Sequence, residues 1–276
     1  MNTRHFLFAL GTTALLCNQT VSADSTLEFL LQETGTPAGK PQPVMIKDGM
    51  LLVKGAGGDD HLDLLYSRAK ERLTIIDHRK KTFMPVDEQQ ISKISHQTED
   101  VMPLLQGLGE QMARLTPAQR AKWEDMLGGQ ISLNKLAKAS KPQKPTSIVR
   151  TGVGKSVAGF SCEEMNVVQG KATMAEVCLA PPDKLNLSGD DYATIRALFN
   201  FSGNLAAKTH GFAEHFGVKI PNLNIREIAG VPIQMRDLSG ENLGSLTLNR
   251  IVTSEVSKSL MEVPNGYRAE KLTLWK

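Results

Sequence analysis

Two cysteines in the second half of the chain have the type and spacing of a covalent cross-link. Cys162 and Cys178 lie within Phe160–Gln169 and Thr173–Ala180, and both segments have the pattern of β-strands. If the turn between them is Gln169–Gly170–Lys171, the cysteines face each other on antiparallel strands, at a separation that suits a disulfide. Closing a loop of this size would stabilise the fold by about 3 kcal/mol. The alternative is a pair of buried thiols.

The same register carries an electrostatic conflict. It places Glu164 opposite Glu176, and like charges that face each other across two strands destabilise a sheet. Either a lysine elsewhere offsets the two carboxylates, or a bulge shifts the register. Both alternatives stay open on the sequence alone.

A glycine-rich segment, Thr151–Ser156, has some features of a phosphate-binding loop. The Walker A motif requires a glycine five residues before Gly154, and that position is occupied by Val149. We therefore predict a turn between two strands at this segment.

Histidines and clustered aspartates are the residues that could hold a metal ion. His210 and His215 are five residues apart, so on a helix they would point in different directions. Asp59, Asp60 and Asp63 lack the length and alternation of a calcium-binding loop, which favours a solvated acidic turn. The sequence predicts no metal site and no cofactor.

Motifs for catalysis and for nucleic-acid binding are absent from the sequence. There is no Gly-x-Ser-x-Gly elbow, and no serine, histidine and acid set stands out, so we predict no catalytic residues and no enzyme activity. The formal net charge of +3 gives no support for a nucleic-acid partner. A hydrolase whose groups converge from distant positions is the least favoured alternative.

The first 23 residues have the pattern of an export signal. A cationic start precedes the apolar run Phe6–Leu16, which is shorter than the about 20 residues that a membrane span requires. Val21–Ser22–Ala23 predicts cleavage before Asp24. Lipidation at Cys17 would require a small residue in place of Leu16. We therefore expect residues 24–276 to be a periplasmic protein with no transmembrane segment, in a compartment that favours disulfides.

The elements that would position these residues form two groups of strands separated by helices. Short strands joined by tight turns over Pro43–Val86 predict an antiparallel meander, with a hairpin turn at Lys47–Asp48–Gly49. A helical insertion is expected at about 88–130, followed by a basic linker at about 134–147. Strands resume at Ile148, which predicts one α+β domain over residues 24–276.

Two features define the predicted helical insertion. Apolar residues recur every three or four positions and make one stripe that includes Leu104, Leu105, Leu108 and Met112. Thr116 and Gln119 have the spacing of a capping box, so a second helix is expected to begin there.

A further helix is expected after Ser188, with Tyr192, Ile195 and Phe199 on one face.

Several local sequence matches run in order through the chain. They are Ile75–Met84, Leu115–Arg120, Thr151–Gly152 with Ala158–Cys162, and Met261–Tyr267. On these segments the chain resembles domain of unknown function 4412, a family of exported bacterial proteins. The resemblance implies the fold of the periplasmic lipoprotein carriers, a curved antiparallel sheet that forms a half-open barrel with helices against it. It implies no established activity and no catalytic residues.

We therefore expect a non-catalytic binding or carrier protein for a hydrophobic small molecule or lipid. Leu104, Leu105, Leu108 and Met112 are the candidate lid or ligand-facing residues, because a methionine-bearing apolar stripe can repack around a greasy ligand. The alternative is an interaction or structural module of the cell envelope, with a filled core and a protein partner. The basic linker could contact an anionic membrane surface, although a solvated linker is the simpler interpretation.

Overall fold

The computed structural model describes residues 24–33, 35–36, 39–90, 92, 116, 119, 146–209, 229–239 and 244–271. Within these ranges the chain forms one curved, unclosed sheet of 12 strands. The strands are β1 (Ser25–Gln32), β2 (Lys40–Lys47), β3 (Met50–Val53), β4 (Leu62–Ser67), β5 (Arg72–Asp77), β6 (Thr82–Val86), β7 (Thr146–Val157), β8 (Phe160–Gln169), β9 (Ala172–Ala180), β10 (Val231–Asp237), β11 (Ser245–Thr253) and β12 (Arg268–Ala269). The helix α1 spans Gly189–Thr209.

The first half of the sheet is the antiparallel meander that the sequence predicts. Strands β2 to β6 pair in chain order, and the β2–β3 hairpin turns at Asp48 and Gly49. Both turn residues have a positive φ, 48° and 73°, as a two-residue type I′ turn requires. The predicted meander and its hairpin turn are therefore confirmed.

Strand β1 lies in the middle of the sheet and joins its two halves. One edge of β1 pairs with β2 and the other edge pairs with β11, both antiparallel. Strands β10, β9, β8 and β7 follow β11 in that order. The short strand β12 pairs with β6 in parallel, so the sheet is mixed rather than wholly antiparallel, which corrects the prediction.

The cysteine hairpin contains the predicted disulfide in a different register. Cys162 and Cys178 are bonded, with their Cα atoms 5.5 Å apart. The turn is Gly170–Lys171 and not the predicted Gln169–Gly170–Lys171, because Gln169 pairs with Ala172, and a bulge at Val167/Val168 shifts the register by one more residue. Glu164, rather than Cys162, therefore lies opposite Cys178, and the bond joins diagonal neighbours. The two shifts together remove the predicted facing of Glu164 and Glu176, since Glu176 lies opposite Asn166. Lys155 pairs with Glu164 and Arg236 pairs with Glu176, so both of the alternatives that the sequence left open occur.

Strand β7 differs from the sequence prediction in two ways. It begins at Thr146, so the last two residues of the predicted basic linker already belong to the sheet. The predicted turn at Thr151–Ser156 is wrong, because this segment is an irregularity inside one strand. Arg150 faces Met165 and Gly154 faces Glu163, so three residues of β7 oppose one residue of β8. Gly152, with a φ of 74°, allows this bulge without steric strain.

The helix α1 packs against one face of the meander, here called the helix face. Ser188 caps the helix as predicted, since its Oγ accepts a hydrogen bond from the backbone N of Asp191 at 3.0 Å. Phe201 of α1 contacts the ring of the buried Tyr66, with the ring centroids 5.7 Å apart. Buried residues from both halves of the sheet join this core, which therefore continues across β1.

The predicted helical insertion is minor relative to the sheet. Most of the segment 88–130, including Leu104, Leu105, Leu108 and Met112, lies outside the described residues. The capping box is confirmed: Gln119 Oε1 accepts a hydrogen bond from Thr116 N at 2.9 Å, and Thr116 Oγ1 accepts one from Gln119 N at 3.4 Å. The long helix that packs on the sheet in the described ranges is α1.

The opposite face of the meander, here called the tail face, is covered by the C-terminal segment. Val256 and Met261 are buried against Leu52, Leu65 and Ile76. Neighbouring residues of a strand point to opposite faces, so Leu51 packs under α1 while Leu52 packs under the tail. The meander is thus buried on both sides, which explains why its strands are rich in apolar residues at successive positions.

The start of β1 binds the C-terminal tail on one face of the sheet and the helix α1 on the other. The side chain of Asp24 accepts hydrogen bonds from Lys47 Nζ at 2.7 Å and from the backbone N of Val256 at 2.8 Å. The Oγ of Ser25 donates to Asp191 Oδ2 in α1 at 2.7 Å. Asp24, Ser25 and Asp191 are all buried. Because Asp24 and Ser25 are adjacent in the chain, together they clamp the tail and the helix to the sheet.

Candidate functional site

A cleft of about 440 Å³ lies beside the first turn of α1, where strands β7, β8 and β9 meet the loop that precedes the helix. It is open to solvent on one side. Its lining residues are Arg150, Ser161, Cys162, Glu163, Met165, Leu179, Pro181, Pro182, Tyr192, Ala229 and Gly230. A concave, mostly apolar surface with a few polar groups is the usual character of a small-molecule site.

The apolar floor of the cleft comes from strand pairing. Glu163 and Met165 are two residues apart on β8 and point to the same face of the sheet. Leu179 lies directly opposite Glu163, and Arg150 lies directly opposite Met165, so the four side chains share this face. Met165 and Leu179 are buried and belong to one apolar cluster. Cys162, the neighbour of Glu163 on β8, also lines the cleft.

The loop after β9 brings the first turn of α1 to the side of the cleft. The strand β9 ends before Pro181 and Pro182, because proline has no N–H group to donate to a sheet ladder. A short 3-10 helix then spans Pro182–Leu185. Asn186 then adopts a left-handed conformation with a φ of 53°, which turns the chain toward the cap at Ser188. As a result Tyr192, in the first turn of the helix, forms one wall of the cleft.

Gly230 closes the opposite side of the cleft at the start of β10. Its φ of 140° is one that other residues rarely adopt, and a Cβ atom there would lie 3.0 Å from the carbonyl oxygen of Ala180. Only glycine allows β10 to approach the end of β9 this closely.

Charged side chains lie at the rim of the cleft rather than on its floor. Arg150 and Glu163 form an ion pair with a nitrogen–oxygen distance of 3.4 Å, and their side chains are 72% and 38% exposed. The guanidinium carbon of Arg196 lies 5.9 Å from the centroid of the Tyr192 ring, within the range of a cation–π contact. Arg150 lines the cleft and Arg196 lies against the Tyr192 ring that forms one of its walls, so the apolar floor has two exposed guanidinium groups beside it.

A second polar cluster lies on the tail face, away from the cleft. His78 Nε2 is 2.9 Å from Asp63 Oδ2, and His78 Nδ1 is 2.8 Å from the hydroxyl of Tyr267. Asp63 also accepts a hydrogen bond from Gly55 N at 3.1 Å and is buried, so its place in a solvated acidic turn was predicted wrongly. Asp59, by contrast, lies at the surface, where it pairs with Arg79 at 3.7 Å.

This cluster joins two of the segments that carry the family resemblance. Neutral His78 with a proton on Nε2 donates to Asp63 and accepts from the hydroxyl of Tyr267, and protonated His78 donates to both. The backbone N of Arg268 also donates to Lys81 O at 3.0 Å. The arrangement holds the C-terminal tail on the meander, and we interpret it as a structural tie.

The structure brings together the predicted disulfide residues and adds the cleft around them. Local sequence pattern predicts the helix that carries Tyr192 and the cysteine hairpin, but not that they meet, because the distance between them depends on the loop at Pro181–Pro182. The double proline directly after a strand was the available signal. Among the described residues, no cluster of three or more His, Cys, Asp or Glu side chains could hold a metal ion. Within the same ranges, no helix has both the length and the apolar character needed to cross a membrane.

Comparison with known proteins identifies no family. No family model matches the chain, and no curated protein matches it. One similar solved structure is an uncharacterized conserved protein from Thermus thermophilus, with 7% identity, a TM-score of 0.39, and coverage of 91% of this chain and 92% of that chain. Another is PNGF-II, with 7% identity, a TM-score of 0.40, and coverage of 91% of this chain and 31% of that chain. The resemblance to domain of unknown function 4412 stays a prediction.

Proposed function

We propose that this chain is an exported, non-catalytic binding or carrier protein, and that it holds a hydrophobic or lipid-like ligand in the cleft beside α1. The observation that supports this proposal is the cleft of about 440 Å³ itself, with its buried floor of Met165 and Leu179 and the aromatic wall of Tyr192. That volume lies within the range of small-molecule sites. The described lining offers apolar contact and paired charges rather than a nucleophile beside a general base.

The predicted lid belongs to the same proposal. Leu104, Leu105, Leu108 and Met112 would cover bound ligand from the helical insertion, in the way that mobile helices close over other binding sites. Their positions are outside the described residues, so this part rests on their spacing in the sequence.

The proposal can be tested by filling the cleft with a bulky side chain introduced at its exposed edge. Ser161 lines the cleft but is exposed, so Ser161→Trp adds bulk there without disturbing buried packing. Thr173→Trp is the matched control, because Thr173 is an exposed strand residue that does not line the cleft. The measurement is a titration of the mature, disulfide-bonded protein with an environment-sensitive apolar dye.

We expect saturable dye binding to the parent protein, a loss of affinity of about tenfold or more in Ser161→Trp, and no loss in Thr173→Trp. The proposal fails if the parent protein shows no saturable binding. It also fails if both tryptophan variants bind the dye as the parent does.

A filled interaction module of the cell envelope is the second candidate, and the packing under α1 favours it. Ile46 and Ile233 are 0% exposed and Tyr66 is 1% exposed, so the core beneath the helix leaves no room at these positions. In this case the cleft would be a surface feature, and the dye titration would give no saturable signal.

A further inference from the structure

Resting on the proposed function, we propose that the ligand of the cleft is an amphiphile with an anionic head, a carboxylate or a phosphate. The head would bind Arg150 and Arg196 at the rim. The chain would lie on Met165 and Leu179 along the ring of Tyr192.

Arg150 has N–H donors that are available to bind such an anionic head. Its contact with Glu163 is a single one at 3.4 Å, longer than the about 2.7–2.9 Å of a strong charge-assisted hydrogen bond. Arg250 shows the contrasting case, since its guanidinium binds both oxygens of Glu28, at 2.5 Å and 2.9 Å. A guanidinium has five N–H donors, so most of those on Arg150 remain available to an incoming anion.

Arg196 is the second available cation. It is exposed and lies over the ring of Tyr192, which itself lines the cleft. Among the described residues no carboxylate forms an ion pair with Arg196. A guanidinium stacked on an aromatic ring keeps its N–H edge free, so it can bind a carboxylate or phosphate while the ring contacts the chain of the ligand.

The neighbouring acids do not cancel this positive rim. Glu163 offsets one of the two guanidinium groups. At the start of α1, Asp190 is paired with Arg68 at 2.5 Å, and Asp191 is buried against Ser25. Asp183, in the loop before the helix, lies 3.6 Å from the ammonium of Lys184. The net charge of the side chains around the cleft is therefore positive, which complements an anion.

The test compares heads on one chain length, below the concentration at which micelles form. The probes are decanoate, decyl phosphate, decyltrimethylammonium and the neutral decyl glucoside, each titrated into the mature protein by calorimetry at low salt. Inorganic phosphate alone is the arm that separates an amphiphile site from a site for a free anion.

We expect decanoate and decyl phosphate to bind about tenfold more tightly than decyltrimethylammonium, with a difference that shrinks as salt is added. Arg150→Gln and Arg196→Gln should each reduce that preference. Arg236→Gln is the matched control, because Arg236 is also exposed and also pairs with a glutamate at 3.4 Å, but it does not line the cleft. That control should keep the full preference.

Three outcomes would overturn the inference. Equal binding of the anionic and cationic amphiphiles refutes the anionic head but leaves the proposed function standing. Binding of inorganic phosphate as tight as that of decyl phosphate refutes the apolar chain. Failure of every amphiphile to bind refutes the proposed function together with the inference.

Discussion

Asp191 is a buried carboxylate at the start of α1, and it shows how a single residue responds to its surroundings. Burial raises the pKa of this carboxyl group above its usual value, although hydrogen bonds from Ser25 and Ser188 oppose the shift. A raised pKa means that folding favours the protonated form. The stability that this group provides is therefore present below its unfolded pKa of about 4 and is lost as the pH rises through the folded pKa.

The first prediction follows from the raised pKa of Asp191. Asp191→Asn removes the ionisation but keeps an oxygen that can accept the hydrogen bond from Ser25 Oγ. We expect the variant to be at least as stable as the parent at pH 7, and its advantage to disappear toward pH 3. Urea denaturation at the two pH values measures this. A variant that is much less stable at pH 7 would show that the ionised carboxylate is needed.

The second prediction concerns Asp24, whose side chain binds Lys47 and the backbone N of Val256. Asp24→Ala leaves the buried N–H of Val256 without its acceptor, which costs about 1–3 kcal/mol. Urea unfolding at pH 7 measures the loss. Glu255→Ala is the control, since Glu255 is exposed and adjacent to Val256. Equal stability of the two variants would contradict the role that we assign to Asp24.

At the scale of elements, the disulfide joins β8 and β9, and its Cys162 lines the cleft. Replacing Cys162 and Cys178 by alanine should lower the free energy of unfolding by about 2–4 kcal/mol. Alkylation of the unfolded protein without reductant should label neither cysteine, and reduction should expose both. Labelling before reduction would refute the bond in the native protein.

The helical insertion provides a prediction that separates a lid from a core. If the stripe that contains Leu105 is a lid over the cleft, Leu105→Glu should abolish dye binding while the melting temperature changes little, because a lid can open into water. If the stripe is ordinary core, the same change buries an unpaired charge and should destabilise the domain by several kcal/mol. A large fall in melting temperature, with no dye binding in the parent protein, ends the carrier proposal.

Elements set by local pattern could be predicted from the sequence, and those set by distant contacts could not. The turn at Asp48–Gly49 and the cap at Ser188 depend on neighbouring residues, and both occur as expected. No local sequence pattern marks the bulge at Val167/Val168, so the register that places Glu164 rather than Cys162 opposite Cys178 could not be predicted. The pairing of β1 with β11 joins residues more than two hundred positions apart, and no local signal marks it. The cleft could not be predicted for the same reason, because residues from β8, from α1 and from the start of β10 all line it.

At the scale of the whole molecule, the predicted signal peptide gives a direct prediction. N-terminal sequencing of the exported protein should begin at Asp24, the residue that follows Val21–Ser22–Ala23. Mass spectrometry of the intact protein, with and without reductant, checks the same boundary together with the disulfide. A mature terminus at a lipid-modified Cys17 would overturn the expectation of a lipid-free, cleaved product.

The central position of β1 also has a consequence for the timing of folding. A chain that is exported from its N-terminus presents β1 and the meander long before β11 emerges. Until then β1 has one open edge, and the buried face that carries Leu27 lacks its cover from the second half of the sheet. Such long-range pairing gives a high contact order, which slows folding and prolongs the exposure of an aggregation-prone strand. If the chain is exported as proposed, it should therefore depend on chaperones of that compartment during the interval between the emergence of its second strand and that of its eleventh.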